Sequence, residues 1–214
     1  IVDKTGTLTE GKPAFHGVVA AAGNSEAEVL RLAASLDQGA EHPLAQTIVA
    51  EARRRELKLG APEKFESASG IGVRGVVEGL TIALGNTALM EEEGVDWRPL
   101  AQQAEALRLE GASVMFLAVA GRAAGLVAVS DPIKQSTLEA LEALRAGGLT
   151  IIMATGDGLT TARAVGRKLG IEEVYGEVKP QDKNDLVARL QAQGRIVAMA
   201  GDGINDAPAL ARAD

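Results

Sequence analysis

The chain has 214 residues, 46% hydrophobic and 24% charged, with a net charge of −7; this is the composition of a globular protein of one large or two modest domains. The acidic balance argues against broad affinity for nucleic acid or anionic membranes, and an aromatic share of 2% leaves little to stack on bases. With no cysteine and only His16 and His42, a disulfide framework, a thiolate metal site and a histidine-built metal cluster are excluded.

In chain order, Ile1-Val2 reads as the end of a strand and Asp3-Lys4-Thr5-Gly6-Thr7-Leu8-Thr9 as the turn after it. An aspartate just past a strand's carboxyl end, in a Thr/Gly turn, suits phosphate. Backbone N–H groups and hydroxyls surround the anion, and the carboxylate binds a cation or attacks phosphorus. A helix is predicted over 25–36, opened by a capping box of Ser25 and Glu28. Pro43 takes the first position of a second helix, to about residue 56. Residues 73–78 and 80–84 are strand-like and meet in a hairpin at Gly79; 98–110 is helical; 114–120 and 124–129 form another hairpin around Gly121-Arg122. Asp131-Pro132 marks a return to a different pattern.

From there strand and helix alternate. The β-branched run 149–154 is a predicted buried parallel strand, followed by Thr155-Gly156-Asp157-Gly158 and a helix over 160–169 that stops at Gly170. Val174 centres a short strand, 181–193 is helical, 195–200 is another buried strand, and 205–213 is a last helix. This is a doubly wound α/β pattern, in which sites form at the carboxyl ends of the strands. Helices with antiparallel hairpins in the middle indicate an α+β domain inserted into it. The longest apolar run, 114–120, is strand-sized, and neither a membrane span nor a signal peptide is visible. The chain opens almost on Asp3 without an initiator Met, and we expect it to be an interior piece of a longer protein.

Three loops are thereby predicted to converge on one sheet edge: the Asp3–Thr7 turn, Thr155-Gly156-Asp157, and Gly201-Asp202-Gly203-Ile204-Asn205-Asp206. They offer the carboxylates of Asp3, Asp202 and Asp206, the Thr155 hydroxyl and glycine N–H groups, and Lys183 opens the helix after Lys179-Pro180. Hard oxygen ligands beside phosphate suit Mg²⁺, and a lysine with a hydroxyl would offset phosphoryl charge in a loose transition state. Taken singly, an Asp-Gly loop is most often a turn and a lysine at a helix start a solvated charge. It is the joint order of four elements that points to phosphoryl transfer. Gly70-Ile71-Gly72-Val73-Arg74-Gly75 also satisfies G-x-G-x-x-G, but strand-like sequence follows where a dinucleotide fingerprint would open a helix.

DKTGTLTEGKP, DPIK, TGDG, and VKPQDK followed by GDGINDAPAL together resemble the haloacid-dehalogenase-like phosphotransferases, specifically the P-type ATPases. The resemblance covers nearly the whole chain. It implies a doubly wound parallel-sheet phosphorylation domain, residues 1–11 and 131–214, with an inserted α+β nucleotide-binding domain, residues 12–130, built on an antiparallel sheet. It implies that ATP phosphorylates Asp3; that Asp3, Asp202 and the Thr5 carbonyl hold Mg²⁺; that Thr155, Gly156, Asp157 and Lys183 serve the phosphate; and that Asn205 and Asp206 organise the site. Related phosphatases carry a second aspartate two residues after the nucleophile. Thr5 stands there, so an acyl-phosphate on Asp3 should persist.

Asp37-Gln38-Gly39-Ala40-Glu41-His42-Pro43-Leu44 resembles the His-Pro loop of the heavy-metal branch, and Gly70, Gly72, Gly85 and Asn86 resemble its nucleotide-site glycines and asparagine. Asp37, Glu41 and His42 join them as candidate nucleotide contacts. Two positions depart from the family pattern: Asp37 replaces the usual Glu, with shorter reach, and Gly158 replaces the usual Asn after Thr-Gly-Asp. The resemblance is strongest to copper pumps. It implies Cu⁺ export driven by ATP from the cytoplasmic portion of an integral membrane protein, in a bacterial inner membrane. Actuator and transmembrane domains would then be partners in the same polypeptide, with the cargo metal bound outside these residues. Dephosphorylation in the family depends on an actuator glutamate, so this piece alone is expected to bind nucleotide and hydrolyse it slowly. Two alternatives remain open: a Zn²⁺, Cd²⁺ or Co²⁺ pump of the same branch, and a free-standing phosphatase of the superfamily. A catalytically silent nucleotide-sensing module is a third.

Overall fold

The computed structural model describes residues 1–68, 70–201 and 203–214. The chain divides into two compact units, one of Ile1–Lys12, Leu109–Gly111 and Asp131–Asp214, the other of Pro13–Arg108 and Ala112–Ser130.

The second unit is a six-stranded antiparallel sheet with helices on both faces. Its strands are β1 (Ala14–Ala20), β2 (Pro62–Ala68), β3 (Gly72–Val77), β4 (Leu80–Gly85), β5 (Ser113–Val119) and β6 (Arg122–Ser130), in the spatial order β1-β6-β5-β4-β3-β2. Its helices are α1 (Glu26–Asp37), α2 (Pro43–Arg54), α3 (Thr87–Glu92) and α4 (Ala101–Leu109). Successive residues of a strand point to opposite faces. Leu117, Val127 and Val129 therefore enter one core with Leu30, Leu36 and Ile48, whereas Phe116, Leu126 and Ala128 enter another with Leu89, Met90 and Leu100. Burial on both faces is why β5 and β6 read as unbroken apolar runs. The two expected hairpins form, at Gly79 and at Ala120-Gly121, with Gly79 and Gly121 both at positive φ. Ser25 caps α1 by accepting from Glu28 N, and Pro43 opens α2.

The first unit carries β7 (Ile152–Ala154) and β8 (Glu173–Tyr175), paired in parallel, with α5 (Thr137–Ala146), α6 (Leu159–Leu169), α7 (Pro180–Ala192) and α8 (Ala207–Arg212). Val2 bridges in parallel to Met153 on one side and Ala200 on the other, giving the order β8, β7, Val2, Ala200. Met153 packs with Leu141, Val165 and Leu169, while Ile152 and Ala154 pack with Leu186, Val187 and Ala209 on the opposite face. The strands expected over 149–154 and 195–200 are shorter than the sequence suggests: β7 begins at Ile152, and 195–200 joins the ladder only at Ala200. β7 pairs with β8 over Ile152–Ala154 only, and Ala200 joins through a single bridge to Val2. Gly170 ends α6 in the left-handed conformation, with φ +63°. Among the described residues, no helix is long and apolar enough to cross a membrane.

Candidate functional site

Asp3 leaves the sheet directly after Val2, with its N–H bonded to Ala200 O at 2.8 Å. It is 7% exposed. Pro180 and Asp182, whose Oδ2 accepts from Lys179 N at 2.8 Å, fix the start of α7, and Lys183 enters the interior on its first turn. The Lys183 Nζ donates to Asp3 Oδ1 and, at 2.6 Å, to Asp206 Oδ1, and all three side chains are at most one-tenth exposed. Gly201 makes room for this: a Cβ there would lie 2.4 Å from Asp206 Oδ2. Burial pushes the Asp3 carboxyl up from its ordinary value, partly offset by Lys183. Burial alone pulls the Lys183 ammonium down, but the hydrogen bonds it donates to Asp206 and Asp3, with their negative charge, outweigh it and the net shift is upward. A lysine so held stays charged at neutral pH.

A second buried group adjoins on the same loop. Lys4 Nζ lies 2.8 Å from Asp157 Oδ2, and Thr155 Oγ1 lies 3.0 Å from the same oxygen while accepting from Asp157 N at 3.2 Å. The Thr155 hydroxyl, aimed at phosphate in the sequence reading, is here engaged by Asp157. Lys4 was not singled out from sequence, because nothing in the spacing ties a lysine at position 4 to an acid at 157. Gly156 and Asn205 are exposed, as is Thr5, whose backbone is extended at φ −72°, ψ 124°. Asp202 lies outside the described residues.

The turn after Asp3 is clamped by the start of α5. Gly6 turns the chain at φ +76°, and its carbonyl accepts from Lys134 Nζ. Leu8 O accepts from Lys134 N at 3.1 Å and from Thr137 Oγ1 at 2.7 Å. Thr9, fully buried, places its hydroxyl 2.9 Å from Lys4 O and within hydrogen-bond distance of Asp131 Oδ2. The DPIK segment, read from sequence as a connection, thus also fixes the aspartate loop. Thr9→Val is expected to destabilise this unit by about 1–3 kcal/mol, because it removes the hydroxyl that donates to the Asp131 carboxylate and accepts from Gly6 N, while Lys4 O keeps the Thr9 N–H. Hydrogen exchange across residues 3–12 checks this; protection equal to wild type would refute it.

In the other unit, all seven residues expected at a nucleotide line one cavity of about 530 Å³: Asp37, Glu41, His42, Gly70, Gly72, Gly85 and Asn86. That is the volume of an ordinary small-molecule site. His42 caps α2, its Nδ1 accepting from Leu44 N at 3.2 Å, which leaves the proton of a neutral ring on Nε2. Asn86 caps α3 through Oδ1, accepting from Leu89 N at 3.2 Å, and its Nδ2 donates to Gly70 O. Gly72 and Gly85 are required by the chain itself: a Cβ would lie 2.3 Å from Leu84 O in one case and 2.2 Å from Ile71 O in the other. Only Gly70, at φ +79° with open space around it, matches the expectation of a glycine that lets a ligand approach. Asp37 is buried, and desolvation pushes its carboxyl up to about 7.

The chain is similar to known proteins along its whole length. Over all 214 residues the chain is 51% identical to a copper-transporting P-type ATPase of Rhizobium leguminosarum bv. viciae, of which it covers 25%. It is 46% identical, again along its whole length, to a silver exporting P-type ATPase of Salmonella typhimurium, covering 26% of it. The chain therefore spans about a quarter of the length of these relatives. Its fold superposes with a TM-score of 0.74 on the catalytic domain of the CPx-ATPase CopB-B, at 29% identity, over 100% of this chain and 76% of that one. The family model for haloacid dehalogenase-like hydrolases matches residues 1–214. With that match running from the first residue to the last, the chain belongs to the haloacid dehalogenase-like hydrolases.

Proposed function

We propose that this chain is the ATP-binding and phosphorylation unit of a heavy-metal cation pump, with Asp3 as the residue phosphorylated. The observation that carries the reading is the buried Asp3 carboxylate held by Lys183, whose other partner is Asp206, with Thr5 where a phosphatase of this family would place a second acid. Residues 12–130 act as the nucleotide domain, and residues 1–11 with 131–214 as the phosphorylation domain.

In the reaction, an Asp3 oxygen forms a bond to the γ-phosphorus and the bond to the β–γ bridging oxygen breaks, leaving ADP with the electron pair. Lys183 holds its charge beside the phosphoryl oxygens, and Asp206 holds Lys183 in place. No carboxylate stands at position 5 to activate water, so the acyl-phosphate is long-lived. Among the described residues the candidate ligands near Asp3 are hard oxygens, with neither histidine nor cysteine beside them, and such a set fits Mg²⁺. Asp3, the Thr5 carbonyl and Asp202 would hold it, and it would neutralise phosphate charge. Thr155, Gly156, Asp157 and Asn205 border the phosphate by analogy with the family.

The 51% identity to a copper-transporting ATPase supports Cu⁺ as cargo, and the silver exporter makes Ag⁺ the second reading. On this proposal the chain is the cytoplasmic part of a bacterial inner-membrane protein, working with actuator and transmembrane domains of the same polypeptide. The test is incubation with γ-labelled ATP and Mg²⁺, an acid quench, and treatment with hydroxylamine. We expect hydroxylamine-labile label on wild type and none on Asp3→Asn. Rapid hydrolysis of small phosphate esters with no trapped label would favour a phosphatase instead.

A further inference from the structure

The nucleotide cavity holds one side chain whose chemistry its neighbours do not explain. Asp37 ends α1 with only 5% of its surface exposed, and it lines the cavity. No hydrogen bond reaches its carboxyl from the described residues, although its own carbonyl accepts from Ala40 N. The wall around it is largely apolar, built from residues such as Phe65, Ile71 and Leu84. The only other titratable side chains on that wall, among the described residues, are Glu41 and His42, both exposed and both on the loop leading into α2. The charged residues of β2 and β3 lie elsewhere: Lys64, Glu66 and Arg74 line a separate hollow, and Glu63 is exposed and lines neither. The strands β4 and β5 present Leu84, Gly85 and Met115 to the cavity, and α2 presents Leu44 and Ala45. Among the described residues, no lysine or arginine lines it.

Among the described residues no fully buried side-chain oxygen lacks a partner, so the Asp37 carboxyl keeps a small surface toward the cavity; a carboxylate so short of water, donors and cations is costly and takes up a proton instead. The burial-driven shift to about 7 agrees with that geometry. The two forms of the group read different bases. A carboxylic acid presents one O–H donor and one carbonyl acceptor, which complement adenine's acceptor nitrogen and N6–H donor. A carboxylate presents two acceptors, which complement the adjacent N1–H and N2–H donors of guanine.

Resting on the reading of this cavity as the nucleotide site, we propose that Asp37 selects adenine as a neutral acid, so that adenine binding is coupled to uptake of one proton. The usual glutamate of the family is replaced here, and the shorter side chain keeps its carboxyl at the end of α1 rather than projecting further into the cavity.

The experiment uses adenosine and guanosine, which carry no phosphate that titrates near neutrality. By calorimetry, adenosine binding should weaken about tenfold from about pH 6 to about pH 8, because the competent fraction of Asp37 falls from about nine-tenths to about one-tenth. Near neutrality, adenosine should take up protons and guanosine should release them, as read from buffers of different ionisation heat. Asp37→Asn keeps one donor and one acceptor, so it should bind adenosine with no pH dependence across this range. Since the proton count needs only wild type, the result does not depend on how the variant folds. ATP binding with flat adenosine affinity and no proton uptake would overturn this inference and leave the nucleotide site standing. Failure of both ATP and adenosine to bind at any pH would overturn the site as well.

Discussion

Lys183→Met should slow the proposed phosphorylation of Asp3 by about two to three orders of magnitude, the usual effect of removing one preorganised charge from a transition state. It should also destabilise the unit that carries the site. Lys183 is the one cation hydrogen-bonded to both Asp3 and Asp206, and all three are buried. Removing it leaves two carboxylates facing an apolar side chain, and breaking a buried pair in this way costs about 3–5 kcal/mol. Adding Asp206→Asn should recover part of that stability, because one stranded charge is gone, but none of the rate. Tyr175 is the only tyrosine and lies in this unit, while Trp97 is the only tryptophan and lies in the other. Near-UV dichroism and tryptophan fluorescence therefore separate the two unfolding transitions. A Lys183→Met variant with unchanged stability and only a modest rate loss would show that the ammonium is a bystander.

Much of this arrangement was legible in the sequence, for identifiable reasons. The hairpins of β3–β4 and β5–β6 announce themselves because glycine supplies the positive φ their turns need. The doubly wound half is legible because Met153 faces one helical layer while Ile152 and Ala154 face the other, making a continuous apolar run. The edge strands β1 and β2 were not predicted. Each carries an irregularity in its pairing, between Phe15 and Gly17 and between Glu63 and Glu66, which breaks the alternation. In β2 the exposed face is also charged, as edge strands often are. Helix α5 was missed because its stripe is thin: Leu141 is buried, but Leu138 and Leu144 are 50% and 39% exposed. The short α3 was missed as well, although Asn86 is a serviceable cap signal.

The site divides in the same way. Asp3, Lys183 and Asp206 were named from motif order, and the fold brings them to one point. The tie between Lys4 and Asp157 and the unpartnered state of Asp37 are properties of packing between segments far apart in sequence, so no local pattern encodes them.

The glycines of the cavity proposed to bind nucleotide give the second large effect. Gly72 and Gly85 are opposed across the β3–β4 ladder, and Asn86, next along, donates its N–H to Ile71 O at 2.9 Å before capping α3. A methyl at Gly85 would meet Ile71 O at 2.2 Å and Leu89 Cδ2 at 2.6 Å. Neither atom is free to withdraw: one is turn backbone just before β3, held by the Asn86 N–H, and the other belongs to a fully buried leucine. Gly85→Ala should therefore part the strands at the cavity wall, cost about 2–3 kcal/mol as overpacking does, and weaken adenosine binding along with it. Gly70→Ala is the informative contrast. Its Cβ would meet nothing within 4 Å, so the cost is the positive φ alone, about 1–2 kcal/mol. Trp97, packed edge-on to Phe116 at 5.7 Å in the core that also holds Leu89, reports the stability of this unit by its fluorescence. If Gly70→Ala weakens adenosine binding while lowering the Trp97 melt by less than Gly85→Ala does, Gly70 is the glycine that a ligand needs and Gly85 the one the sheet needs. If Gly85→Ala instead melts like wild type, the strands can yield at this point, and steric exclusion does not account for glycine there.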